Sequence, residues 1–199
     1  MEKKLSSQLV GRLAAHGYIE QLKIPIYVYG FELLISTIIT LILMILISAV
    51  SGSPVIWLFF RLGFVPARIF SGGYHAKTHF VCYTVFSTFF ALSCTVCLAF
   101  SFNVSFALIT SIVLFGTILI FSPVEATNKP LSEKSRKRNR FISLMIVGID
   151  IFMAIVLVAC SASINEFFEM YYVSKWTLVA FLIYPKIKHL LSRYQKNTM

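Results

Sequence analysis

The run LLISTIITLILMILISAV, residues 33–50, is 18 residues long and carries no charge. A membrane-spanning helix needs roughly 20 predominantly apolar residues, so this stretch by itself points to a span. Similar runs follow it. Phe80–Phe100 is uncharged and rich in aromatics, Phe106–Ser122 is uncharged, and Phe141–Cys160 is broken only by Asp150. Two weaker runs complete the set: Val55–Phe70, which holds Arg61 and Pro66, and Trp176–Tyr184. The expected fold class is therefore all-α: a polytopic membrane protein with about six transmembrane helices.

Bulk composition agrees. The chain is 58% hydrophobic and 13% charged, with mean hydropathy +0.82. Soluble domains carry about 25% charged residues. Residues 1–30 differ from the rest. Leu5, Leu9, Leu13 and Ile19 alternate with Lys3, Lys4, Arg12, Glu20 and Lys23. That pattern suits an amphipathic helix lying on the cytoplasmic membrane surface. We expect one domain, 1–199, made of a surface segment at 1–30 and a transmembrane bundle at 31–199. No apolar run with a small-residue cleavage site follows Lys4, so no cleavable signal peptide is expected.

Charge placement orients the spans. Four Lys or Arg lie in residues 1–30, six in 123–140 and four after Tyr184. The intervening segments 51–54, 101–105 and 161–175 hold only Lys175. Basic residues collect on the cytoplasmic side, which places both termini there. The net charge of +10 is accounted for by this bias, and without a soluble basic domain nucleic acid is not an expected partner. Segment 66–79 and the basic stretch 123–140 are separated by two spans, so they share a side, expected to be the cytoplasmic one.

The chemistry-bearing stretch is Ala67-Arg-Ile-Phe-Ser-Gly-Gly-Tyr-His-Ala-Lys-Thr-His-Phe-Val-Cys82. A cysteine nucleophile needs a base, and a nearby imidazolium also stabilises its thiolate. Two histidines compete for that role. His79 lies three residues before Cys82 and would neighbour it on one helix. His75 lies seven residues before, about 10.5 Å along a continuous helix, so it reaches Cys82 only if the helix is interrupted. Gly72-Gly73 permits such a break, and Thr78 can cap a helix beginning at His79. Cys82 would then sit in a first turn, where the helix dipole favours a thiolate. Spacing alone favours His79 slightly, and two interfacial histidines with no catalytic role remain open.

The pattern Arg68-x4-Gly73-x-His75-x6-Cys82 resembles the active-site motif of the accessory gene regulator protein B (AgrB) family. The preceding surface helix, the string of spans and the Ser122–Pro130 stretch with Arg136–Arg140 behind it are similar to the layout of that family. The resemblance implies a cysteine endopeptidase with His75 and Cys82 as its catalytic pair, and so selects His75 over His79. It implies a substrate too: a small quorum-sensing precursor peptide of AgrD type, cleaved through a thioester acyl-enzyme and cyclised to a thiolactone or lactone. No cofactor or metal is implied, and a homodimer in the cell membrane is. Arg68, Gly73 and His79 are expected in supporting or substrate-binding roles. Arg68 either anchors substrate or snorkels to the interface, and Gly73 answers a backbone requirement.

Other groups invite other readings. Asp150 falls mid-span, where an ionisable residue is a functional candidate. Arg61 is its expected partner, and Asp150 or Glu125 is a candidate third catalytic member. Glu32 reads as interfacial. Cys94 and Cys97 form a CxxC inside an apolar helix, which would suit a membrane thiol redox enzyme but more simply gives two small packing residues. Cys160 reads the same way. A non-enzymatic peptide transporter, depending on Arg61 and Asp150, is the remaining alternative.

Overall fold

The computed structural model describes residues 2–73, 78–124, 131–160 and 165–197. Among them the chain is almost entirely helical: α1 Glu2–Ala15, α2 Ile24–Val50, α3 Ile56–Ser71, α4 His79–Ala99, α5 Val104–Phe121, α6 Glu133–Ala159 and α7 Glu166–Asn197. A single 3-10 turn, Gln21–Lys23, joins α1 to α2.

The breaks fall where short polar side chains can stop a helix or start one. Gly52 turns the chain after α2 with φ +79°. Asn103 accepts a hydrogen bond from the Phe106 amide to start α5, and Ser132 accepts one from Ser135 to start α6. Such caps satisfy amides that have no partner within the helix.

Four described segments are long and apolar enough to cross a membrane: Gln21–Val50, His79–Ala99, Val104–Phe121 and Glu133–Ala159. They correspond to the four strong runs. The boundaries move, however. The first spanning helix begins at Ile24, so residues 24–30 belong to it and not to the surface segment. The last begins at Glu133, so Arg136–Arg140 lie on helix α6 and not in a loop.

The two weak runs have a common explanation. α3 is short, at 16 residues, and α7 contains charges, yet these two make the most intimate helix pair in the bundle. A Cβ on Gly63 would collide with Ser174 Oγ and the Tyr171 carbonyl. Small residues let membrane helices approach this closely. Around the pair, Phe60, Phe64, Phe86, Phe90, Phe89 and Phe181 form edge-to-face and stacked contacts. α7 is packed inside, with Met170, Leu178 and Leu182 fully buried, so its surroundings are other helices. By contrast, α2 exposes Leu33, Leu34, Ile38, Ile42 and Leu46. An apolar surface of that kind suits a lipid solvent.

Two ends of the bundle can be told apart. At one, Gly72 and Val124 form a parallel bridge, with the Val124 amide donating to the Ser71 carbonyl at 2.9 Å. Arg140 donates to the Leu119 carbonyl at 2.8 Å. This end joins Gly72, after α3, to Val124, after α5, so these described parts of 66–79 and of the basic stretch lie at one end of the bundle. At the other end Glu169 accepts from the Phe102 amide, and Trp176 donates to Thr110.

Candidate active site

Cys82 sits at the Gly72–Val124 end of the bundle. The Thr78 hydroxyl accepts from the Val81 amide at 3.3 Å, and the Cys82 amide closes onto the Thr78 carbonyl at 3.1 Å. Thr78 is therefore the cap of a helix starting at His79, as its residue type predicts. Cys82 lies in the first turn and is an exposed, free thiol. The amides of that turn point their positive end at any anion placed there.

Before Thr78 the chain leaves α3 through two glycines, each with a reason. Gly72 has φ +73° and Gly73 φ +126°, a region that side chains other than glycine rarely adopt. Space is lacking as well. A Cβ on Gly72 would strike the Val124 carbonyl, and one on Gly73 would strike the Arg68 guanidinium and stand 2.9 Å from the Phe181 carbonyl. Arg68 turns inward, its guanidinium carbon 5.6 Å from the centre of the Phe181 ring, and within electrostatic reach of the Cys82 thiol. Arg68 thus packs against Gly73 and Phe181 instead of snorkelling to the interface. His75, expected as the base, lies outside the described residues together with Tyr74, Ala76 and Lys77.

His79 is held elsewhere. Its Nε2 stands 3.5 Å from a Glu32 carboxylate oxygen, in a pair largely shielded from solvent. Glu32, expected as an interfacial residue, makes this contact across 47 positions of sequence. The available signal was its isolation, since Glu32 is the sole charge in α2.

A cavity of about 760 Å³ opens beside the bridge. Arg136, Lys137 and Arg140 line it from the first turns of α6, with Glu133, Val124 and Pro185. It places three cations one bridge residue away from the Gly72–Gly73 segment.

The remaining candidates are not brought to Cys82. Asp150 lies further along α6 than Ser143, whose hydroxyl stands 3.3 Å from that of Ser122 beside the Gly72–Val124 bridge, and so about 10 Å deeper into the bundle at 1.5 Å per residue. It accepts from Lys175 Nζ at 2.7 Å and from the Tyr171 hydroxyl. Lys175, not Arg61, is thus its ionic partner. Lys175 is also no outer-loop residue: it is 1% exposed, inside α7. Asp150 is held by Lys175 and Tyr171, and Glu125 lies outside the described residues. Cys94, on α4, is buried in the core of the bundle and Cys97 packs at the edge of that core, both thiols free and both towards the far end of the helix from Cys82.

Comparison with known proteins follows the same direction. A family model described as accessory gene regulator B matches residues 5–184. An AgrB-like protein 2 of Clostridium perfringens (strain 13 / Type A) is 28% identical over 163 residues, covering 75% of this chain and 69% of that protein. Accessory gene regulator protein B of Staphylococcus aureus (strain MW2) is 25% identical over 117 residues, covering 59% of this chain and 63% of that protein. No solved structure matches.

Proposed function

The chain belongs to the accessory gene regulator B family, and from that premise we propose that it is a membrane-embedded cysteine endopeptidase acting on a small quorum-sensing precursor peptide of AgrD type. The observation that carries this reading is the placement of Cys82: an exposed thiol on the first turn of a Thr78-capped helix, behind two glycines that only their own residue type fits.

The chemistry follows from that placement. His75 takes the Cys82 proton, and the thiolate attacks a carbonyl carbon of the precursor. Arg68 and the first-turn amides of α4 favour the anionic sulfur. The tetrahedral intermediate collapses as His75 returns the proton to the leaving amine. The C-terminal part of the precursor departs, and the remainder stays on Cys82 as a thioester. A thiol or hydroxyl within the bound peptide then attacks the thioester carbonyl, expels Cys82 and closes a thiolactone or lactone ring.

Charge placement supports a cytoplasmic site, with both termini on the same side and six spans in which α3 and α7 are the short and charged members. The basic cavity beside the Gly72–Val124 bridge suits an acidic leaving segment. A homodimer is part of the same family reading.

The test is co-expression with a precursor peptide, with cleavage followed by mass spectrometry. Cys82→Ser and His75→Ala are expected to abolish cleavage, while His79→Ala keeps a measurable rate. Cleavage surviving in Cys82→Ser would remove the cysteine-peptidase reading. A dead His79→Ala beside an active His75→Ala would keep the class and reassign the base.

A further inference from the structure

We propose that Glu32 is a positioning residue for the nucleophile, acting through His79 to fix the first turn of α4. The inference rests on the reading of Cys82 as the reacting group.

Helix α2 has 27 residues and one charge, Glu32. Helix α4 has 21 residues and carries neither Lys, Arg, Asp nor Glu; its one histidine is His79. These two residues meet, with Nε2 and Oε2 3.5 Å apart and side-chain exposures of 29% for His79 and 15% for Glu32. A carboxylate this shielded is costly unless it is paired. The pair is thus a polar contact between α2 and α4, two helices otherwise packed through apolar side chains.

Its position gives it a consequence. His79 is the first residue of α4 after the Thr78 cap, so the Glu32 carboxylate stands at the positive end of that helix, where an anion is favoured. His79 and Cys82 are three residues apart and lie on neighbouring positions of one helix face. Holding the imidazole fixes how the first turn is rotated about its axis. That rotation decides the direction in which the Cys82 sulfur is presented. The apolar contact between α2 and α4 has no comparable directional constraint, since packed Leu and Phe side chains admit small rotations that a polar contact opposes. Glu32 touches no reacting atom, so its effect is on geometry and not on proton transfer. Displacements of about 1 Å in a reacting group are enough to slow a reaction by up to a hundredfold.

The experiment uses the full chain reconstituted in liposomes with a precursor peptide as the probe, and it measures kcat and KM separately for Glu32→Gln, Glu32→Asp, His79→Gln and the Glu32→Gln/His79→Gln double variant. A second measurement follows alkylation of Cys82 by a maleimide, with Cys94, Cys97 and Cys160 replaced by Ser, and needs no peptide. Glu32→Gln and His79→Gln are each expected to lower kcat by about tenfold with KM within a factor of two. The double variant should be no slower than either single one, because both remove the same contact. Glu32→Asp should recover part of the rate, and alkylation of Cys82 should slow in step with kcat. Wild-type kcat and alkylation in Glu32→Gln would overturn the proposal, as would independent, multiplying losses in the double variant. Cleavage surviving in Cys82→Ser would instead overturn the endopeptidase reading, while the alkylation series would still report whether Glu32 positions the thiol.

Discussion

Two groups of charged residues sit at different depths of the same bundle. At its centre Asp150, Lys175 and Tyr171 form a closed set: the carboxylate is 4% exposed, the ammonium 1%, and each is satisfied by the others. At one end Arg68 and the Glu32–His79 pair accompany Cys82, whose thiol is exposed, beside two glycines at positive φ and an open basic cavity. Depth in an apolar chain flags both groups equally as functional candidates. Satisfaction separates them. The central set is closed on itself and holds α6 to α7, whereas the end set includes a thiol that is exposed.

The sharpest way to break this contrast is to open the central set. Lys175→Met leaves a buried carboxylate facing only the Tyr171 hydroxyl, and breaking one partner of a buried pair typically costs about 3–5 kcal/mol. Loss of most folded protein is expected, read as yield and thermal midpoint in detergent. Asp150→Asn/Lys175→Met removes both charges and should restore most of the stability, with precursor cleavage intact. A stable double variant that no longer cleaves would move Asp150 back among the catalytic candidates.

Next in size is the glycine pair. Gly73→Ala must place a methyl group where the Arg68 guanidinium lies, at φ +126°. Backbone strain of this kind costs about 1–3 kcal/mol, and relieving it moves either Arg68 or the chain leading to His75. We expect at least a tenfold loss of cleavage with modest loss of stability. Gly116→Ala, where a Cβ meets nothing within 4 Å, is the matched control and should be close to wild type in both measurements. Equal behaviour of the two would show that the glycine geometry does not matter to the site.

What the sequence made legible, and what it did not, follows the same contrast. Helices α2, α4, α5 and α6 were readable because surfaces facing lipid must be apolar without interruption. α3 and α7 were blurred because they face other helices, where Ser174, Lys175 and Thr177 can be buried. Lys175 looked like an outer-loop residue only because α7 starts ten residues earlier than its hydropathy suggests. The Thr78 cap and the break before it are local, so residue types sufficed. The Glu32–His79 and Asp150–Lys175 pairs are set by how helices pack, and no local pattern encodes that.

A smaller effect belongs to the basic cavity. Arg136→Gln/Lys137→Gln removes two of its three cations while leaving Arg140 to hold the Leu119 carbonyl. If an acidic peptide segment rests there, KM should rise several-fold with kcat little changed, and the difference from wild type should shrink as salt screens the charges. An unchanged KM at low salt would leave these residues to the positive-inside bias alone.

The smallest expected effect concerns Cys94 and Cys97, and it tests whether exposure, more than residue type, marks the site. A redox role would need the two thiols to meet each other and a reaction partner. Cys94 is 2% exposed and packed into the core with Phe60, Phe90 and Met44, and the pair shares one helix three positions apart. Cys94→Ala deletes one buried sulfur from a packed interior, so its penalty is of packing type, about 1 kcal/mol, and Cys97→Ala should cost less. Both variants should cleave the precursor at the wild-type rate under oxidising and reducing conditions alike, as mass spectrometry can establish. A loss of function in Cys94→Ala that Cys82→Ser does not share would reverse the roles of the two cysteine positions on α4, and with them the distinction between a presented thiol and a buried one.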